Sequence, residues 1–234
     1  MAAIWKRECK AYFRTPLGYV IIAVAWFFTG YYFFTYNIYG GTTDFTRLYA
    51  LLFSVVLFLI PVLTMRLMSE EKKTKTDQLL LTAPVSRAAI ILGKYLSALC
   101  VFVISIAGTL VTALIASCYG TVDWPCVIGN FLGLFLLGVA QIAICLFLSS
   151  ITESQVIAAV LGFAVSLFLM LVDAISYVVK SKVLQSAFSY MSFNERYTPF
   201  TLGIVELKNV VFFLSVAALF CGFSVAVLER KRWS

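Results

Sequence analysis

Six apolar runs, each about as long as a bilayer is thick, leave this chain very few folds. They cover 17–38, 48–68, 93–118, 126–149, 155–178 and 208–228. At 1.5 Å per residue the first would extend about 33 Å as a helix, enough to cross the hydrocarbon. Lipid offers no partners to backbone N–H and C=O groups, so segments of this kind must pair them internally as α-helices. Charged residues are 12% of the chain, against about 25% in a soluble domain, and the mean hydropathy is +0.98. The sequence therefore predicts an all-α integral membrane protein, one transmembrane domain over 1–234 with six spans and no soluble domain.

The longest polar interruption runs from Arg66 to Lys94 and holds six of the eighteen basic residues. Its core is a loop over 69–92. Within it, Thr74 and Asp77 have the spacing of a capping box, with Asp in place of the usual Glu or Gln. Asp77 also favours the dipole of a helix starting there. Pro84 stops that helix, and Ser86 is suited to cap the next. Leu79, Leu80 and Leu81 then project from about two helical turns, either toward a groove on a soluble partner or back onto the membrane surface. The turn 149–154, with Glu153, offers a second and smaller contact beside it.

Lys and Arg are divided unevenly. With the N-terminus inside, the inner segments hold thirteen of them and the outer segments five: Arg47, Lys180, Lys182, Arg196 and Lys208. The positive-inside rule puts both termini and the 69–92 loop in the cytoplasm. Ahead of the first span, in 1–15, Ile4, Trp5, Cys9, Tyr12 and Phe13 fall near helical spacing, opposite Lys6, Arg7, Lys10 and Arg14. This reads as an amphipathic helix lying on the membrane lipid, or as a plain positive flank; Trp5 and Tyr12 favour the helix. No small-residue cleavage pattern follows, so the first span should be retained.

Pro61 is expected to kink span 2. Lys94 is expected to snorkel to the surface where span 3 begins. The segment 179–207 is too short in apolar residues to cross and reads as short interfacial or re-entrant helices. Among polar residues inside spans, Asn130 and Gln141 suit bonds between helices. Asp173 is level between a place at the interface and a role in a transport pathway. Cys118 and Cys126 flank an outer turn, where a disulfide and two free thiols are both open.

Several functions are excluded. The chain has no histidine, which removes imidazole metal sites and histidine bases. No C-x-x-C occurs, so no cysteine metal motif is present. The acidic residues are too scattered for paired-carboxylate catalysis. The nearest approach to a phosphate loop, Ala88 to Tyr95, lacks the first glycine and ends in Tyr95, so the chain itself does not hydrolyse nucleotide. The basic residues sit at span ends, which speaks for topology rather than nucleic acid.

The runs Met65 to Glu71, Thr76 to Ser86 and Leu92 to Tyr95, with the ending Phe200 to Leu207 and Leu228 to Trp233, resemble the ABC-2 type permeases, in the branch that includes gliding-motility subunits. Asp77 stands where a glutamate is expected in relatives. The resemblance implies the membrane half of an ATP-binding-cassette exporter in the bacterial cytoplasmic membrane. Such a subunit binds no cofactor; ATP and magnesium belong to separate ATPase subunits, and a second permease subunit, identical or not, completes the dimer. It makes 1–15 a connector helix containing Trp5, Lys6, Arg7, Tyr12 and Phe13. It makes about Thr76–Leu81 a coupling helix, with Glu70, Glu71, Thr76, Asp77, Gln78, Leu79, Leu80, Leu81, Pro84 and Glu153 as the surface for the ATPase. Residues 179–207 become an extracellular re-entrant hairpin, and spans 2 and 5 the dimer centre. The rival reading is a scaffold or channel regulated by a cytoplasmic partner without ATP-driven transport.

Overall fold

A computed structural model describes residues 2–74, 86–178 and 192–230, and every described element is helical. Helix α1 (Ala2–Arg14) leads through Thr15 into α2 (Pro16–Tyr32), which continues as a π-helical stretch, Phe33–Ile38. Then come α3 (Thr46–Thr64), α4 (Ser69–Lys73), α5 (Arg87–Ser117) and α6 (Trp124–Ile151). Last are α7 (Gln155–Val178), α8 (Phe193–Thr201) and α9 (Leu207–Arg230). Six of the helical stretches are long and apolar enough to cross a membrane.

Helix α6 is the axle. Leu134, Leu137, Ala140, Ile142, Ala143 and Leu146 are fully buried around its circumference, and α3, α5, α7, α8 and α9 all pack on it. Three glycines permit the close approach. A Cβ on Gly133 would lie 2.6 Å from that of Phe200, one on Gly129 2.9 Å from Gly203 Cα, and one on Gly138 would overlap the Phe102 ring. Small residues at such crossings are how apolar helices pack without a hydrophobic driving force between them. The outward faces of α2, α7 and α9 carry Val20, Phe27, Val160, Phe168, Leu214 and Phe223, all exposed, as lipid-facing surfaces should be.

Two ends of the bundle are distinguished by polar side chains. At one, Asn37 donates to the carbonyls of Thr42 (3.1 Å) and Asp44 (2.9 Å), closing the turn after α2. Gly41 takes a φ of +64° there, a conformation that glycine adopts without penalty. Helix α8, capped by Ser192, is buried at this end: Tyr197 donates to the Tyr49 carbonyl at 3.1 Å and Phe200 is fully enclosed. Residues 179–191, the other half of the segment expected to re-enter, lie outside the described residues. At the opposite end, Ser149 closes the break between α3 and α4. Its hydroxyl accepts from Met68 N–H and Ser69 N–H and donates to the Met65 carbonyl, all within 3.3 Å. The Lys72 ammonium donates to the Ser150 carbonyl.

One expectation needs correction. The helix that carries span 3 begins at Arg87, two turns before Lys94, with Ser86 Oγ accepting from Ala89 N–H at 3.4 Å. Lys94 is consequently inside the helix and only 1% exposed, not snorkelling. Thr74 closes α4, its hydroxyl donating to the Glu70 carbonyl at 2.9 Å; residues 75–85, where the loop helix is expected, lie outside the described residues.

Candidate functional site

Most of the charged residues around α4 are engaged in ion pairs rather than presented as a free surface. Lys94 Nζ lies 2.9 Å from Glu71 Oε2 and 3.5 Å from Glu8 Oε1, and donates to the Leu67 carbonyl at 2.7 Å. Arg7 reaches Glu71 at 2.7 Å and Glu8 at 2.5 Å. Arg66 pairs with Glu70 at 2.9 Å and donates to Thr15 Oγ1 at 2.8 Å. A buried ammonium is tolerated only when paired and fully hydrogen-bonded. Two carboxylates and a carbonyl meet that condition for Lys94. Together Arg7, Glu8, Tyr12, Arg66, Glu71 and Lys94 line a cleft of about 390 Å³ open to solvent.

The network joins three elements. Helix α1 contributes Ile4, Glu8 and Tyr12 at four-residue spacing, so all three share one face. Ile4 packs on Gly93, where an added Cβ would be 2.9 Å from Ile4 Cγ2. Tyr12 donates to the Leu63 carbonyl at 2.8 Å. Trp5 and Lys6 are exposed and Phe13 is half-buried. The first helix is thus held on protein along one side and free along the other. Burial works against the Arg7 guanidinium, yet Glu8 and Glu71 outweigh it and hold its pKa above the usual value. Burial and the neighbouring Cys100 thiol push the Cys9 thiol up to about 11, leaving it protonated and a poor nucleophile at neutral pH.

The structure brings Glu70 and Glu71 together with Arg7 and Tyr12. Glu153 stands apart and exposed in the link between α6 and α7. Thr76, Asp77, Gln78, Leu79, Leu80, Leu81 and Pro84 lie outside the described residues. Asp173 is on the last two turns of α7. Cys118 and Cys126 are free thiols rather than a disulfide: Cys118 is exposed beyond α5, while Cys126 is turned across the bundle to donate to the Thr201 carbonyl at 3.5 Å. Asn130 donates to the same carbonyl at 3.2 Å, and Gln141 to Ser166 Oγ at 2.9 Å, so both bond neighbouring segments. Glu8 and Ser166 went unnoticed in the sequence. The one signal for Glu8 is that it is the only acid in a basic stretch, four residues from both Ile4 and Tyr12.

Among the described residues no three His, Cys, Asp or Glu side chains gather as a metal site, and the clustered charges neutralise one another. The arrangement suits a mechanical joint better than a reaction centre. A search of the curated proteins gives no match. Residues 33–232 match the family model described as ABC-2 family transporter protein, which takes in five full helical spans and the end of the first. The chain therefore belongs to the ABC-2 family of transporter proteins, as the multi-pass membrane permease of an ABC transporter that works with an ABC ATPase subunit and is not itself that ATPase.

Proposed function

We propose that this permease exports its substrate across the bacterial cytoplasmic membrane, driven by ATP hydrolysed with magnesium on separate subunits that grip the 69–92 loop. The observation that carries this reading is the Lys94–Glu71–Arg7 network at the root of that loop. It ties the loop's first helix to α1 and to span 3, so a force on the loop reaches three elements at once. The coupling surface would comprise Thr76, Asp77, Gln78, Leu79, Leu80, Leu81 and Pro84, flanked by the exposed Glu153. Glu71 acts inward, as the joint behind that surface. A second permease subunit completes the pathway, with Asp173 as a candidate group along it.

Replacing Leu79, Leu80 and Leu81 together by serine should abolish co-purification of the ATPase while leaving the permease folded. Unchanged association would remove the docking claim. Orientation is tested separately with the exposed Cys118. A membrane-impermeant maleimide should label Cys118 in intact cells but should not label a cysteine placed at Thr76. The reverse pattern would invert the topology.

A further inference from the structure

Pro61 sits inside α3 and is buried. Having no N–H, it cannot donate to the carbonyl four residues earlier, that of Leu57, which is left without its helical partner in a water-free interior. A donor arrives from another span. Ser166 Oγ on α7 lies 2.7 Å from the Leu57 oxygen, and Gln141 Nε2 on α6 donates to that same Oγ at 2.9 Å. Ser166 and Gln141 are both fully buried. One turn earlier on α7, Gly162 faces the proline ring, and a Cβ there would stand 2.8 Å from Pro61 Cβ. Leu57 and Pro61 thus meet Ser166 and Gly162, two pairs at four-residue spacing, with Gly162 letting the backbones close and Ser166 supplying the bond.

We infer that Ser166 is a positioning residue whose hydroxyl replaces the amide proton missing at Pro61, fastening span 5 to span 2 so that the two move together at this level. Gln141 orients and polarises the hydroxyl from span 4. The bland alternative is that Ser166 merely bonds back to the Gly162 carbonyl of its own helix, which lies at 3.0 Å, as helical serines commonly do. The consequence for transport rests on the reading above: a pull on the loop end of span 2 would carry span 5 with it.

A double-mutant cycle on the full-length chain in lipid nanodiscs separates the two. Alanine at 61 restores the N–H and gives the Leu57 carbonyl its own helical donor, making Ser166 redundant. Ser166→Ala should lower the thermal midpoint by about 2–4 °C in the Pro61 background and hardly at all beside Pro61→Ala. An equal drop in both backgrounds overturns the inference. A spectroscopic arm does not depend on stability. With a ¹³C=¹⁸O label at Leu57, Ser166→Ala should move the carbonyl stretch to higher wavenumber, and Ser166→Thr should leave it near the wild-type position. No shift with alanine also overturns it. Neither arm involves an ATPase, so this junction and the proposed docking can fail independently.

Discussion

Lys94→Met will be the most damaging conservative-sized substitution at the loop end of the bundle. Lys94 is 1% exposed and is the shared cation for Glu71 and Glu8. Removing one member of a buried ion pair leaves the other charge desolvated and uncompensated, at a cost of about 3–5 kcal/mol. Arg7 remains near both carboxylates but is itself half in solvent, so it compensates only in part. The expected result is a clear fall in thermal midpoint together with loosening of α1. The loosening has its own readout. Cys9, on α1 beside Cys100, should react with a maleimide much faster in the variant than in the parent. Adding Glu71→Met should recover much of the loss, because exchanging a whole buried pair for apolar side chains is often near neutral. An unchanged midpoint and unchanged Cys9 reactivity in Lys94→Met would show that the network carries no stability.

Gly138→Ala should be nearly as harmful, although it adds a single methyl. The new Cβ would overlap the ring of Phe102, and Phe102 is itself fully buried between α5 and α6. Either the ring must shift within this buried site or the helix pair must move apart. Overpacking of this kind costs about 1–3 kcal/mol and sometimes more, and it falls on the helix against which most of the bundle packs. The yield of folded protein and its thermal midpoint should both drop. Phe102→Leu in the same chain should restore much of each by vacating the space. If alanine at 138 is tolerated without that second change, the close approach of α5 and α6 is softer than their geometry implies.

Much of the architecture was legible before any coordinates. The six spans follow from run length and apolarity, since a lipid-immersed backbone has only one local way to satisfy itself. Ser86 was readable as a cap because the hydroxyl-bearing side chain, the helix start and the bond to Ala89 N–H are all within four residues. Gln141 and Asn130 were readable as bridging groups, because an amide inside a span needs a partner. Lys94 was misread for a related reason. Its hydropathy suits a helix end, and only the true start at Arg87, together with Glu8 arriving from 86 residues away, turns the same ammonium inward. Cys126 beside Thr201 shows the same limit. Proximity along the chain favours Cys118, but the direction in which α6 presents its first turn favours a carbonyl 75 residues on.

The amino-acid order alone settled that the chain is helical and has six stretches long and apolar enough to cross a membrane. Those properties arise within single segments, where backbone pairing and transfer to lipid are local. Which polar atoms meet was decided only by the tertiary structure: Lys94 with Glu71 and Glu8, Tyr12 with the Leu63 carbonyl, and Ser166 with the carbonyl Pro61 leaves open. Such meetings depend on how far one helix can approach another and at what rotation, which is set jointly by glycines such as 129, 133, 138 and 162 and the side chains opposite them. No single segment contains that information.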